Sequence, residues 1–257
     1  MLLIASGLSM YLYMFLFLAI APAIALMVYV YRQDPIDKEP ADLLWNLVLR
    51  GVVAALFAGL FEQVGMTALG LFSGLDPTSA KFTVVSDFVV VGVVEEGLKY
   101  ALMARKTWNH PAFNCRFDGV VYAVFTSLGF AAAENVMYGL TYGPGVLFSR
   151  ALMAIPAHMG FAVLFGMLYG QAKLLSTRGK SVSGALCVIV GYALSVALHG
   201  LYDSAAMVNS ESSGAVFMLV VVAIYVIVFI VVRVAARHDR RFGGDGSTNR
   251  AQGQGWY

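Results

Sequence analysis

Charge is what this chain has least of. Asp, Glu, Lys and Arg make up 12% of its 257 residues, about half the share found in soluble domains. So few charges cannot cover a water-facing surface, which excludes a soluble globular protein. The formal net charge of +2 leaves no basic face for nucleic acid. Cysteine is nearly absent too: Cys115 and Cys187 allow at most one disulfide and fit no zinc-finger or haem spacing. Intrinsic disorder needs low hydrophobicity and high net charge, and neither holds.

What remains is apolar. AVILMFWYC residues account for 60% of the chain and the mean hydropathy is +0.76. The expected fold is an all-α, polytopic membrane bundle, with spans of about 20 residues each. They are read at Ser9–Tyr31, Gly51–Phe72, Phe82–Ala104, Asp118–Tyr142, Val146–Lys173, Val182–Met207 and Gly214–Val234. The third carries Asp87, Glu95, Glu96 and Lys99 and fails a plain hydropathy test. Basic residues decide the matter, since cytoplasmic loops carry the excess. If Phe82–Ala104 spans, every lysine and arginine except Lys81, Arg150 and the intramembrane Lys99 falls on one side. If it does not span, most of them land outside. The reading is therefore seven helices, amino terminus outside and carboxyl terminus cytoplasmic.

An ionised side chain within a membrane helix costs about 2.5–3.5 kcal/mol or more. Glu95, Glu96, Lys99, Glu134, His158, His199 and Asp203 all sit at such positions. Lys99 can reach back to either glutamate on one helix face, leaving one carboxylate over as a general base. The plainer reading is an ion pair that lets the helix insert. Glu134 precedes Asn135, with Tyr138 one turn on. Asp203 lies one turn from His199 and can hold its imidazole in one tautomer. His158, two residues after Pro156, gains weight from its company alone. Glu62 either joins the set or faces a water-filled cavity, while Arg150 and Asp87 read as interfacial. Counted at about 1.5 Å per residue from the outer helix ends, the polar groups of four helices fall in one slab, between the outer boundary and the midplane.

These residues carry a resemblance. EExxK at Glu95–Lys99, FxxxE at Phe130–Glu134 and HxxxD at His199–Asp203 stand in order on three helices. YRQDPIDKEP after helix one, DGVVY at Asp118–Tyr122 and the pairing of Arg150 with His158 agree. The chain resembles the PrsW family of intramembrane proteases, within the CAAX-protease and bacteriocin-processing superfamily. The transmembrane protease domain is read over 1–236; the tail over 237–257 lies outside the resemblance, and its basic, Gly-rich composition reads as disordered and cytoplasmic. The resemblance implies site-1-type cleavage of membrane-anchored substrates, such as anti-sigma factors, in the cell membrane of a prokaryote, with the lipid bilayer as the other partner.

The chemistry of the residues agrees. Amide hydrolysis needs a water, a base, oxyanion donors and an acid for the leaving amine. Glu95 or Glu96 is the base, and His158, His199 and Asn135 are donor candidates. Asp203 orients His199, and Glu134 shares the water. Lys99 and Tyr138 support the set. The expectation is a glutamate-type hydrolase without a cofactor. Zinc is the alternative, since His199 and Asp203 with His158 or Glu134 form a ligand set, although HExxH is absent. The rival class is an ion-coupled transporter, against which stands the lack of any inverted repeat.

Overall fold

The structure, a computed structural model, describes residues 2–208 and 213–242. Among the described residues every regular element is helical, apart from one isolated bridge between Cys115 and Arg241. Six stretches are long and apolar enough to cross a membrane: Leu12–Gln33, Ala41–Phe72, Asp118–Tyr142, Gly145–Thr177, Ser181–Met207 and Gly214–Arg237. A seventh rod, charged and therefore less apolar, is made of α3 (Ala80–Ser86), a π-helical segment (Asp87–Gly92) and α4 (Val93–Thr107). It packs against α2 (Ala41–Phe72) and α8 (Ser181–Met207). The described residues form an all-α membrane bundle of seven rods.

The central rod is α5 (Asp118–Tyr142), buried without interruption from Asp118 to Ala131. It packs against α1 (Leu2–Gln33), α2 and α7 (Ala154–Thr177). Its contacts with α7 depend on missing side chains. A Cβ on Gly170 would stand 2.0 Å from the Arg116 carbonyl oxygen, and one on Gly166 would stand 2.6 Å from that of Gly119. Gly166 and Gly170 are four apart, so one bare stripe on α7 lets the backbones meet, as small residues do between membrane helices.

Three expected boundaries move. The second helix starts at Ala41 rather than Gly51, immediately after Pro40. Arg50 does not end it, because its guanidinium donates to Asn46 Oδ1 at 2.7 Å and to the Leu102 carbonyl at 3.2 Å. The expected Val146–Lys173 span breaks into α6 (Gly145–Leu152) and α7 at Met153, whose φ of −116° departs from the usual helical value of about −63°. Pro156 then sits in the first turn of α7, where a proline is tolerated.

The third change concerns the last helix. It runs as α9 (Ser213–Val226), a π-helical segment (Ile227–Val231) and α10 (Val232–Arg237). Residues just beyond it are docked, not loose. Arg116 N–H donates to the Arg240 carbonyl, Phe242 N–H to that of Asn114, and Phe117 N–H to Asp239 Oδ1. The disorder expected over 237–257 thus fails for 238–242, because the 113–117 loop offers backbone partners and Phe113 offers a ring for Phe242. Residues 243–257 lie outside the described part. Cys115 and Cys187 are free thiols, as expected.

Candidate active site

The polar groups of the four helices converge. A cavity of about 530 Å³ is bordered by Glu62, Asp87, Glu95, Glu134, Arg150, His158, His199, Tyr202 and Asp203. Of the buried charged groups, Asp87, Glu95, Glu96 and Lys99 lie at or beside this cavity.

The segment before EExxK is π-helical, a form that recurs at functional sites. Its wider turn changes the phase between Asp87 and Glu95, and both border the cavity. Asp87 accepts from Ser204 Oγ of α8 at 3.0 Å. One helix turn on, Lys99 is completely buried. Its Nζ donates to Glu96 Oε1 at 2.5 Å and stands 3.5 Å from Glu95 Oε2. The Phe130 ring lies 4.4 Å from the same ammonium, which gives the aromatic of FxxxE a cation–π role.

Lys99 separates the two glutamates. Glu96 is completely buried and does not border the cavity, and its Oε1 also takes His199 Nδ1 at 2.8 Å. Glu95 does border the cavity, and its Oε2 has no hydrogen-bond partner. Of the two candidates for the base, only Glu95 can meet a water there.

Lys99 also fixes His158, whose Nδ1 lies 3.3 Å from Nζ. An ammonium has no lone pair to offer, so Nδ1 accepts and the ring proton sits on Nε2. That Nε2–H donates to Glu134 Oε2 at 2.9 Å. Arg150 donates to the same oxygen at 2.8 Å, and its Nε donates to Asn135 Oδ1, also at 2.8 Å.

His199 faces a carboxylate at each nitrogen. Glu96 lies at Nδ1, while Asp203 Oδ2 stands 3.1 Å and Glu95 Oε2 3.7 Å from Nε2. Ionised carboxylates only accept, so with these partners the ring carries both protons. The Phe161 ring stacks on it at 4.7 Å.

Several expected placements change. Asn135 is completely buried, outside the cavity wall, with Nδ2 donating to the Ala19 carbonyl at 3.4 Å. It supports Arg150 and does not face a substrate. Tyr138 does not bond Glu134. Its ring lies 3.8 Å from the Arg150 guanidinium carbon. Arg150 and Asp87, read as interfacial, border the cavity with Glu62. The signal for Arg150 was its company with His158 in the resemblance.

Two sets of donors bear on a metal. Glu95, Glu96 and His158 offer atoms within 4.8 Å of one another, but the Lys99 ammonium already stands among them and repels a cation. The cavity side is different. His199 Nε2 faces Asp203 and Glu95, Glu95 Oε2 lacks a partner, and Glu96 holds Nδ1 from behind. An imidazole held from behind by a carboxylate is how metal-binding histidines are usually oriented. His199 and Asp203 fit an ion on that side, whereas Glu95 and His158 do not while Lys99 stands beside them.

Comparison with known proteins identifies the family. A family model described as "PrsW family intramembrane metalloprotease" matches residues 39–233. The "Protease PrsW" of Clostridioides difficile is 30% identical over 202 residues, covering 76% of this chain and 79% of that one. The namesakes from Geobacillus kaustophilus and Bacillus subtilis are 29% and 30% identical over 175 residues. Each alignment covers 68% of this chain, with 72% and 74% of the relative. No solved structure matches the chain. The chain is an integral membrane protease and belongs to the PrsW family.

Proposed function

We propose that the protein is an endopeptidase that cuts membrane-anchored proteins beside the outer membrane boundary, with Glu95 as the base. The observation that carries this reading is Glu95 itself. It is the member of the EE pair on the cavity wall, and Lys99 holds it in place.

In this mechanism Glu95 takes a proton from a water as that water attacks the scissile carbonyl. Negative charge develops on the carbonyl oxygen, where the Arg150 guanidinium and the His158 Nε2–H are the nearby donors. Glu134 holds both donors in place until substrate competes for them. His199, kept in position by Glu96 and Asp203, faces the collapsing intermediate, and protonated Glu95 returns its proton to the leaving amine.

The family's description as a metalloprotease adds an ion to this scheme. His199 Nε2 and Asp203, with Glu134 as a further carboxylate of the cavity, would hold it. When bound, it would polarise the carbonyl and acidify the water. The metal-free, glutamate-type scheme is favoured by one observation, that His199 already has a carboxylate at each nitrogen.

The orientation follows from the basic residues, with the amino terminus outside and the carboxyl terminus in the cytoplasm of a prokaryotic cell. The substrate class, single-span proteins such as anti-sigma factors, follows from the resemblance. The test is cleavage of a single-span reporter by protein reconstituted in vesicles, with the new termini mapped by mass spectrometry. A cut near the outer boundary is expected, whereas a cut on the side of the 34–40 linker overturns the reading. Exhaustive chelation separates the two schemes. Activity that is lost and then restored by zinc supports the metal, and full activity after chelation supports glutamate alone.

A further inference from the structure

A second group of carboxylates lies away from the catalytic cavity, where the α1–α2 linker meets the start of α5. Asp34 and Glu39 come from the linker, and Asp118 is the first residue of α5. Their exposures are 5%, 4% and 0%, and each offers an oxygen within 4.8 Å of the other two.

Their remaining oxygens are only partly satisfied. Asp118 Oδ2 accepts from the Asn114 and Cys115 amides at 2.9 and 2.6 Å, which leaves Oδ1 buried and without a partner. Glu39 Oε2 accepts from the Tyr122 hydroxyl at 2.6 Å. Asp34 Oδ1 takes the Ile36 amide at 3.4 Å, and Asp34 Oδ2 has no partner.

Among the described residues no salt bridge reaches them. Lys38, the nearest lysine in sequence, spends its ammonium on the backbone carbonyls of Tyr31 and Asp34. Arg241 stands 3.7 Å from Asp37, an exposed neighbour. Among the described residues no lysine or arginine nitrogen comes within 4.0 Å of Asp34, Glu39 or Asp118. Burial pushes the Glu39 carboxyl up to about 7. Three buried carboxylates with free oxygens and no cation are the donor set of a hard metal ion.

We infer that Asp34, Glu39 and Asp118 form a binding site for a hard divalent cation of the Mg²⁺, Ca²⁺ or Mn²⁺ class, separate from the catalytic cavity, which fastens the α1–α2 linker to α5. The ion takes its oxygens from two parts of the chain that are 79 residues apart between Glu39 and Asp118. Its effect is on the seating of α5, whose far end carries Glu134.

The experiment uses the full-length protein in detergent, stripped with chelator and then titrated with MnCl₂, CaCl₂ or MgCl₂. Bound Mn²⁺ is counted by electron paramagnetic resonance, and unfolding is followed by heating. Wild type is expected to bind one more Mn²⁺ per chain than Glu39→Gln or Asp118→Asn. Its unfolding midpoint should rise by roughly 5 °C at saturation, a rise that both variants lose. Both substitutions keep an acceptor for Tyr122 or the 114–115 amides, and Asp34→Asn serves if either fails to fold. Equal Mn²⁺ counts in wild type and variants overturn the site, as does an equal rise in midpoint. The count is independent of peptide cleavage, so its failure leaves the protease reading intact.

Discussion

Glu96 and Asp118 are both completely buried, yet they are answered differently. Glu96 Oε1 has an ammonium at 2.5 Å and an imidazole at 2.8 Å. Asp118 Oδ2 has only two neutral backbone amides, and each residue keeps one oxygen without a partner. The catalytic cavity meets its carboxylates with Lys99, Arg150 and two histidines, all from the chain. The linker cluster meets its own with hydroxyl and amide dipoles. One cluster is neutralised by basic side chains of the chain, and the other has none within 4.0 Å among the described residues.

The largest expected effect breaks the catalytic side. Glu95→Gln keeps size and burial but cannot accept a proton, so cleavage of the reconstituted reporter should fall by about 10³-fold or more, roughly 4 kcal/mol of barrier. Membrane levels of the variant should stay normal. Wild-type turnover would remove Glu95 from the mechanism. Lys99→Met comes next, because it strands Glu96 and Glu95 without their cation. Breaking a buried pair costs about 3–5 kcal/mol, and a large drop in unfolding temperature or in membrane level should report it. A well-folded, fully active Lys99→Met protein would mean that the charge balance around Glu96 lies elsewhere.

The catalytic side was also the legible one. Glu95, Glu96, Lys99, Glu134, His199 and Asp203 stand out in a chain with 12% charge, and their helical spacing alone pairs Lys99 with the glutamates and His199 with Asp203. The structure bears out both pairs. Arg150 was harder, since counting along one continuous helix puts it at the boundary. It stands on α6, just before the break at Met153, and donates to Glu134. The two glutamates could not be told apart by sequence because adjacent residues differ by only 100° on a helix, and the side that faces water depends on where α8 packs. The linker cluster was not legible as a site. Asp34 and Glu39 read as loop charges until the fold buries them against Asp118.

Two smaller effects probe how each side is held. His199→Ala and Asp203→Ala should each cost nearly as much activity as the double variant, the non-additivity of groups that act as a unit. Free-energy losses that simply add would show that Asp203 serves packing alone. Gly170→Ala tests the seating of α5 on α7. A methyl 2.0 Å from the Arg116 carbonyl oxygen forces the backbones apart, and overpacking of this kind costs about 1–3 kcal/mol. Unfolding of the purified protein measures it, and an unchanged midpoint would mean that the two helices separate freely.

The smallest effect sharpens the comparison most, because it predicts opposite signs for one kind of substitution. Replacing a carboxylate by its amide in the catalytic cluster removes the partner of a buried cation. Glu96→Gln leaves Lys99 with Glu95 alone and His199 Nδ1 without its carboxylate, so the protein should lose stability. In the linker cluster, above pH 7 where Glu39 is ionised, the same change removes one of three negative charges that have no basic side chain within 4.0 Å among the described residues. With chelator present, Glu39→Gln should therefore stabilise the fold, by about 1 kcal/mol for a relieved buried repulsion whose Tyr122 hydrogen bond survives. With a saturating divalent cation the sign should reverse, since the wild-type protein then gains an ion that the variant cannot hold. Unfolding midpoints of both variants, with and without cation, give all of these comparisons in one set of measurements. If Glu39→Gln destabilises in chelator as Glu96→Gln does, the linker carboxylates are already neutralised within the chain, and the contrast between the two ends of α5 disappears.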